Sequence, residues 1–387
     1  MPSAKCQAGA SRPSSRNLAL GTWNSSMKAK YVMIGGFLGA GKTTAVARLA
    51  RHLSDRGLKV GLIANDQSTG LVDTALLRSK GFATEEIAGG CFCCRFNSLV
   101  DAADRLSKET RPDVFIAEPV GSCTDLVATV SYPLRRIYGD RFTIAPLSVL
   151  VDPARAARVL GLEEGKPFSE KVVYVYRKQL EEADVIIVNK TDTLDAPRRD
   201  RLAAALRQAF PKADVLLASA KAGDGLDAWF DRVLNAEGRD GPSMELDYDT
   251  YAEGEAELGW LNATATVAKG EPFDGNETLL RLARALRDRL QGAEIAHLKM
   301  TLDPGDPSGI LSVVSLVRSD AEPDLRESLV DRVDGAELVI NLRAEADPER
   351  LEKALREALD ARVTIDHLER FRPARPRPTH RLPGGSR

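Results

Sequence analysis

Gly36-Phe-Leu-Gly-Ala-Gly-Lys-Thr43 decides the fold. It fits the pattern G-x-x-x-x-G-K-[ST]. The apolar run Tyr31–Ile34 precedes it, and Thr44–Ser54, with helix-like spacing of Ala, Leu and Val, follows it. A strand, a glycine-rich turn and a helix form the context in which this pattern cradles phosphate. The glycines let backbone N–H groups approach phosphate oxygens, and the helix N-terminus adds partial positive charge. Gly36, Gly39, Ala40, Gly41, Lys42, Thr43 and Thr44 are therefore the candidate phosphate-binding residues. Lys42 is placed to neutralise the β- and γ-phosphates, and the Thr43 hydroxyl to ligate Mg²⁺.

Outward from this turn, short apolar runs alternate with helical patterns. Val60–Ala64, Val114–Ala117, Leu147–Val151, Val185–Val188 and Val215–Ala218 are each too short for a core helix and suit strands buried on both faces. Such alternation predicts an α/β P-loop domain over residues 28–236, built on a doubly wound, mostly parallel sheet. Residues 1–27 read as a disordered leader; their acid-free, Ser- and Ala-rich composition also fits a transit peptide. Residues 237–257 read as an exposed acidic linker. The order β-α-β-β-β-α predicted for 258–370 describes a smaller α+β domain of ferredoxin-like type. Residues 371–387, basic and proline-rich, read as a disordered tail.

Composition narrows the class of function. The chain has 387 residues, 43% apolar and 28% charged, with a formal net charge of −2. That balance argues against a nucleic-acid partner, and no apolar stretch approaches the ~18 residues of a spanning helix. Five cysteines, an odd number with three of them crowded together, argue against a disulfide scaffold and favour a reducing, cytoplasmic setting.

The base is read from Asn189-Lys190-Thr191-Asp192, which ends the run Val185–Val188, where open α/β sheets bind ligands. An Asp192 carboxylate can accept both N1–H and the exocyclic amine of guanine, whereas adenine offers no donor pair on that edge. The Lys190 stem can cover the ring face, and the backbone of Ser219-Ala220-Lys221 can meet the guanine carbonyl. GTP is thus favoured over ATP. Two acids end neighbouring strands. Asp66 is assigned to the metal or the attacking water, and Glu118 with Gly121 to the γ-phosphate, with metal contact through water open to both acids. No nearby arginine is marked as a finger, so intrinsic hydrolysis should be slow. Finally, Gly89-Gly-Cys91-Phe-Cys93-Cys94 sets three thiols within four residues. Thiolates are soft donors suited to Zn²⁺ or another transition ion. Cys123, water or a partner's ligand can fill a fourth position.

Together these segments resemble the CobW-type GTPases, relatives of the urease- and hydrogenase-maturation GTPases. The matching residues are Gly-Gly-Phe-Leu-Gly-Ala-Gly-Lys-Thr-Thr (35–44), Gly-Cys-Phe-Cys-Cys (90–94), Glu-x-x-Gly (118–121) and Asn-Lys-Thr-Asp (189–192). The resemblance implies a GTP-hydrolysing metallochaperone or metal insertase, with GTP gating a zinc or related ion held by the Cys-x-Cys-Cys loop. It also implies a client metalloprotein or cofactor-dependent enzyme as partner, and a homodimer by analogy. Three features depart from the family pattern: Asn65-Asp-Gln-Ser-Thr-Gly replaces an Asn-Glu-Phe-Gly type, Pro119 follows Glu118, and the four histidines (52, 297, 367 and 380) are scattered. They point to a side branch with its own metal or client. Two rivals are a GTPase chaperone for a cobalamin or corrinoid enzyme, with structural cysteines, and a P-loop small-molecule kinase.

Overall fold

The computed structural model describes residues 28–65, 77–78, 80–166, 168–307 and 309–384. Its first sheet contains β1 (Ala29–Gly36), β2 (Val60–Asn65), β3 (Thr84–Ile87), β4 (Val114–Glu118), β5 (Phe142–Ile144), β6 (Ser148–Val151), β7 (Val185–Val188) and β8 (Asp214–Leu217). The order is β3-β2-β4-β1-β6-β7-β8, with β5 beside the start of β1, and every pairing is parallel. Helices cover both faces, which explains the continuous apolar runs. On β1, Val32 and Ile34 pack with Leu49 and Leu53 of the helix Lys42–Asp55, while Tyr31 and Met33 join Phe96, Phe115 and Tyr176 on the other face.

The second sheet contains β9 (Gly259–Val267), β10 (Ile295–Asp303), β11 (Ser312–Leu316), β12 (Asp324–Glu327), β13 (Ala336–Ala344) and β14 (Val363–Phe371). It is antiparallel, in the order β12-β11-β10-β13-β9-β14. The four strands β14-β9-β13-β10, with helices Gly275–Arg289 after β9 and Pro348–Ala358 after β13, form the split β-α-β arrangement expected of a ferredoxin-like unit. β11 and β12 extend one edge. Strand alternation divides the two faces. Leu261, Leu298, Met300, Ile340 and Leu342 pack under the two helices, with Leu279, Leu286, Leu351 and Leu355 opposite them. The other face carries Trp260, Asn262, Lys299, Thr301, Asn341 and Arg343, all buried nonetheless.

Four strands escaped the sequence reading. β3 is Thr-Glu-Glu-Ile at a sheet edge, β5 has three residues, β12 is Asp-Leu-Arg-Glu, and β14 is half-exposed and charged. Each lacks the apolar run that marks a doubly buried strand. The acidic segment read as linker contains the helix Tyr248–Ala256. Asp247 caps it, and Tyr251 and Glu255 are buried. Its apolar positions lie a helical turn apart among carboxylates, so overall acidity hid the buried face. The basic segment after β14 is described to Gly384 and lies across the first domain: the Arg377 amide donates to the Cys94 sulfur (3.1 Å), the Thr379 amide to the Cys93 carbonyl (2.8 Å) and the Leu382 amide to the Ala128 carbonyl (2.9 Å). Among the described residues, no helix is long and apolar enough to cross a membrane.

Candidate functional site

The phosphate turn leaves β1 through Gly36, whose φ of +128° and 2.3 Å approach of a notional Cβ to the Leu150 carbonyl exclude any side chain. Gly41 (φ +92°) begins the helix Lys42–Asp55, and a Cβ there would stand 2.4 Å from the Asn189 amide nitrogen. Lys42 and Thr43 are the first helical residues, both buried. The Thr43 hydroxyl donates to Glu118 Oε1 at 3.1 Å.

The Asn189–Asp192 segment meets this turn directly. Asn189 donates its amide to the Ala40 carbonyl (2.8 Å) and accepts the Ala220 N–H (2.9 Å), tying the phosphate turn to Ser219-Ala220-Lys221. Lys190, in a left-handed conformation (φ +57°), donates to the Gly39 carbonyl (2.7 Å) and to Asp152 (2.8 Å). Asp192 accepts the Ser219 hydroxyl at 2.5 Å. The strand ends thus bring together the residues chosen from sequence for the phosphates and the base.

The two acids fare differently. Glu118 is buried at the end of β4, beside Thr43. Asp66 lies outside the described residues. Its neighbour Asn65, given no role of its own by the sequence reading, donates to the Ile87 and Gly90 carbonyls (2.9 and 2.8 Å). Asn65 Oδ1 is buried and has no hydrogen-bond partner among the described residues.

Asp152 and Arg155 were also missed. Asp152 caps the helix Pro153–Val159 and pairs with Lys190. Burial alone would raise its carboxyl; the Lys190 and Arg155 charges overrule burial and hold it well below the usual range. Asp-Pro at a strand end was a legible helix start. Arg155 carried no such signal. It is 4% exposed, stacks near Phe37 and Phe168, and donates to the Leu38 carbonyl of the phosphate turn (2.6 Å). It also reaches the Ile295 and Ala296 carbonyls (both 3.4 Å) and that of Val317, in the second domain.

The phosphate turn opens into a cleft of about 480 Å³. Lys42, Thr43, Glu118 and Asn65 line one side, and Trp260, His297, Lys299, Asn341 and Arg343 of the second sheet line the other.

Cys91, Cys93 and Cys94 form one group, their sulfurs mutually within 4.8 Å. Cys91–Cys93 is 2.8 Å, Cys91–Cys94 3.4 Å and Cys93–Cys94 3.8 Å. Hydrogen bonds from Cys123, Cys93 and Cys94 converge on the Cys91 sulfur and hold its thiol well below the ordinary range. The same bond to Cys91 raises Cys93 strongly and pushes Cys94 up to about 11. Cys123 is raised chiefly by burial. It stands behind Cys91 as a donor, not within the group of three. Glu255, from the helix Tyr248–Ala256, is buried near this cluster; burial, then the Cys91 charge, raises its carboxyl, which accepts the Ser122 hydroxyl (2.6 Å). Tetrahedral zinc with Zn–S near 2.3 Å separates its sulfurs by about 3.8 Å. The trio fits such an ion once Cys91 and Cys93 part by about 1 Å.

A phosphate cradle between strand and helix, backed by Asn-Lys-x-Asp two strands away in a parallel sheet, defines a P-loop nucleotide-binding protein. Residues 30–217, just under half of the chain, match the CobW/HypB/UreG nucleotide-binding domain. The zinc chaperone YeiR of Escherichia coli K12 is 31% identical over 163 residues, 41% of this chain and 46% of that protein. The zinc chaperone CobW of a Sinorhizobium species is 31% identical over 191 residues, 44% of this chain and 52% of that protein. The chain thus spans about half the length of the curated relatives it matches. Among solved structures, HypB of Helicobacter pylori in complex with nickel is 21% identical with a TM-score of 0.40, covering 54% of this chain and 86% of that one.

Proposed function

We propose that this protein binds and hydrolyses GTP and uses the cycle to load and release a transition-metal ion, zinc in the first instance, held by Cys91, Cys93 and Cys94 for delivery to a client metalloprotein. The observation that carries the reading is the joint presence of a P-loop with a guanine-type Asn189–Asp192 segment and a preassembled trio of thiols, linked through Asn65. The zinc chaperones among the relatives support the choice of ion.

In this reading Gly36, Gly39, Ala40, Gly41, Lys42, Thr43 and Thr44 hold the phosphates. Asn189, Lys190 and Asp192, with Ser219, Ala220 and Lys221, hold the base. Thr43 Oγ1, the Glu118 carboxylate and the unsatisfied Asn65 oxygen form an all-oxygen set suited to a hard cation and its water. Mg²⁺, when bound there, neutralises charge developing on the phosphate oxygens. Glu118, with Gly121 after it, senses the γ-phosphate; Lys42 stabilises charge on the transferring group; Asp66 orients water. Rearrangement at the end of β2 is passed by Asn65 to Gly90 and so to the thiols, changing the grip on the ion.

The test is to titrate reduced protein with Zn²⁺ in the presence of GDP or a non-hydrolysable GTP analogue while counting free thiols, and to follow phosphate release from GTP. One ion per chain, protection of the trio and different affinities in the two nucleotide states are expected. Equal affinities would remove the coupling. Absence of phosphate release would remove the enzyme.

A further inference from the structure

The segment after β14 is joined to the thiol loop by its backbone. The Arg377 amide meets the Cys94 sulfur at 3.1 Å, across 283 residues of chain. The Thr379 amide meets the Cys93 carbonyl (2.8 Å), and the Thr379 hydroxyl meets the Cys94 carbonyl (3.2 Å). The local sequence suits that use. Pro376 and Pro378, on either side of Arg377, have no amide to leave unpaired. Each also confines the residue before it, Arg375 and Arg377, to extended backbone. A chain stiffened in this way loses little entropy on docking.

Further contacts fix the segment before and after the loop. Arg372 pairs with Asp347, and Arg375 with Asp249. Beyond Thr379, the His380 ring stands edge-on to Phe96 with 5.0 Å between centroids, and Arg381 donates to Asp125 (2.7 Å). Asp125 is buried and also accepts the Tyr248 hydroxyl at 2.7 Å. At its start the segment continues β14, whose Phe371 ring lies 5.7 Å from that of Trp260 in the second sheet. An amide N–H aimed at a ligating sulfur favours the thiolate and holds it in place, and partners of that kind typically change metal affinity by about 10–100-fold. Three thiolates around a doubly charged ion leave net negative charge. Residues 372–384 meet it with four arginines and no acid.

We propose that residues 372–384 form a strap that completes the ion site from outside the thiol loop, and that the strap must lift before the ion passes to a client. The proposal rests on the metal reading above and adds to it what retains the ion. The Arg377 amide supplies the bond to the Cys94 sulfur, and Thr379 keeps that amide in register. Because the strap continues β14, it also gives the second domain a hold on the ion.

The experiment uses the reduced full chain, unaltered and as Arg377→Pro and Arg377→Ala. The first variant deletes the N–H and keeps extended backbone. The second deletes the guanidinium and keeps the N–H. Zinc affinity is measured by competition with a chromophoric chelator, and release by mixing the loaded protein with an excess of it. Arg377→Pro should weaken zinc and speed its release by about tenfold. Arg377→Ala should stay within about threefold, the size of one exposed charge. Equal losses in the two variants, or none in Arg377→Pro, overturn the proposal and leave the metal reading standing. If the unaltered chain takes up no zinc, the metal reading itself fails and the strap loses its task with it. Cobalt(II) in place of zinc gives a second readout. An N–H on sulfur lowers the energy of the electrons promoted in thiolate-to-cobalt absorption. That band should move to longer wavelength in Arg377→Pro and stay in place in Arg377→Ala. An unmoved band in Arg377→Pro would again overturn the proposal.

Discussion

Asn65, the last residue of β2, donates its side-chain amide at 2.8 Å to the carbonyl of Gly90, the residue before Cys91. One residue of the nucleotide cleft therefore grips the backbone of the thiol loop. Couplings between ligand sites are typically about 1–3 kcal/mol, or 5–150-fold. Zinc affinity should accordingly differ within that range between the GDP and GTP-analogue states. Asn65→Ala loses two bonds of ~1 kcal/mol each and should bring the ratio towards one. Competition against a chromophoric chelator in both nucleotide states checks this.

Zinc must displace the protons that Cys93 and Cys94 hold more tightly than ordinary thiols, whereas Cys91 gives its proton up readily. Affinity should therefore rise with pH and fall on acidification, by about tenfold per pH unit for each proton released. Proton release on loading is measurable in weakly buffered solution. Cys94→Ser should weaken zinc and flatten the pH dependence by about one proton.

Asp192 presents its carboxylate beside the Ser219 hydroxyl at 2.5 Å. Asp192→Asn replaces acceptors with a donor on one side. GDP affinity should fall by at least tenfold, while xanthosine diphosphate, which offers a carbonyl in place of the amine, should gain. Calorimetry with both nucleotides decides.

Glu182 accepts the Val127 N–H and the Thr124 hydroxyl, and burial pushes its carboxyl up to about 8. Its ordinary value is 4.5, so the folded state holds the proton more tightly than the unfolded chain. This contribution to stability is complete below about pH 4.5, is lost as pH rises towards 8, and is constant beyond. Glu182→Gln should remove that slope. Urea unfolding midpoints of the two proteins, compared from pH 5 to 8.5, should diverge in favour of the variant as pH rises.

The Arg377 amide donates to the Cys94 sulfur, and Arg381 pairs with the buried Asp125 (2.7 Å). Ending the chain after Phe371 removes this cover. Cys94 should then react severalfold faster with a thiol reagent in the metal-free protein, measured by absorbance stopped-flow.

The sequence by itself determined the parallel sheet, the glycine-rich turn, the Asn189–Asp192 segment at the end of β7 and the thiol trio. All are local: a doubly buried strand must be apolar throughout, a glycine turn must have its spacing, and three thiols within four residues need no tertiary contact to be adjacent. Tertiary structure alone decided the rest. Arg155 is an unremarkable arginine in a helix until packing aims it at carbonyls 117 and 141 residues away. Lys299 and Arg343 read as ordinary strand residues until the register of β10 and β13 sets them on one face, and domain packing turns that face to the cleft. Asn65 became a link because its amide meets a carbonyl 25 residues on. Such contacts depend on chain separations that no local pattern encodes, so they became visible only once the strands were in order.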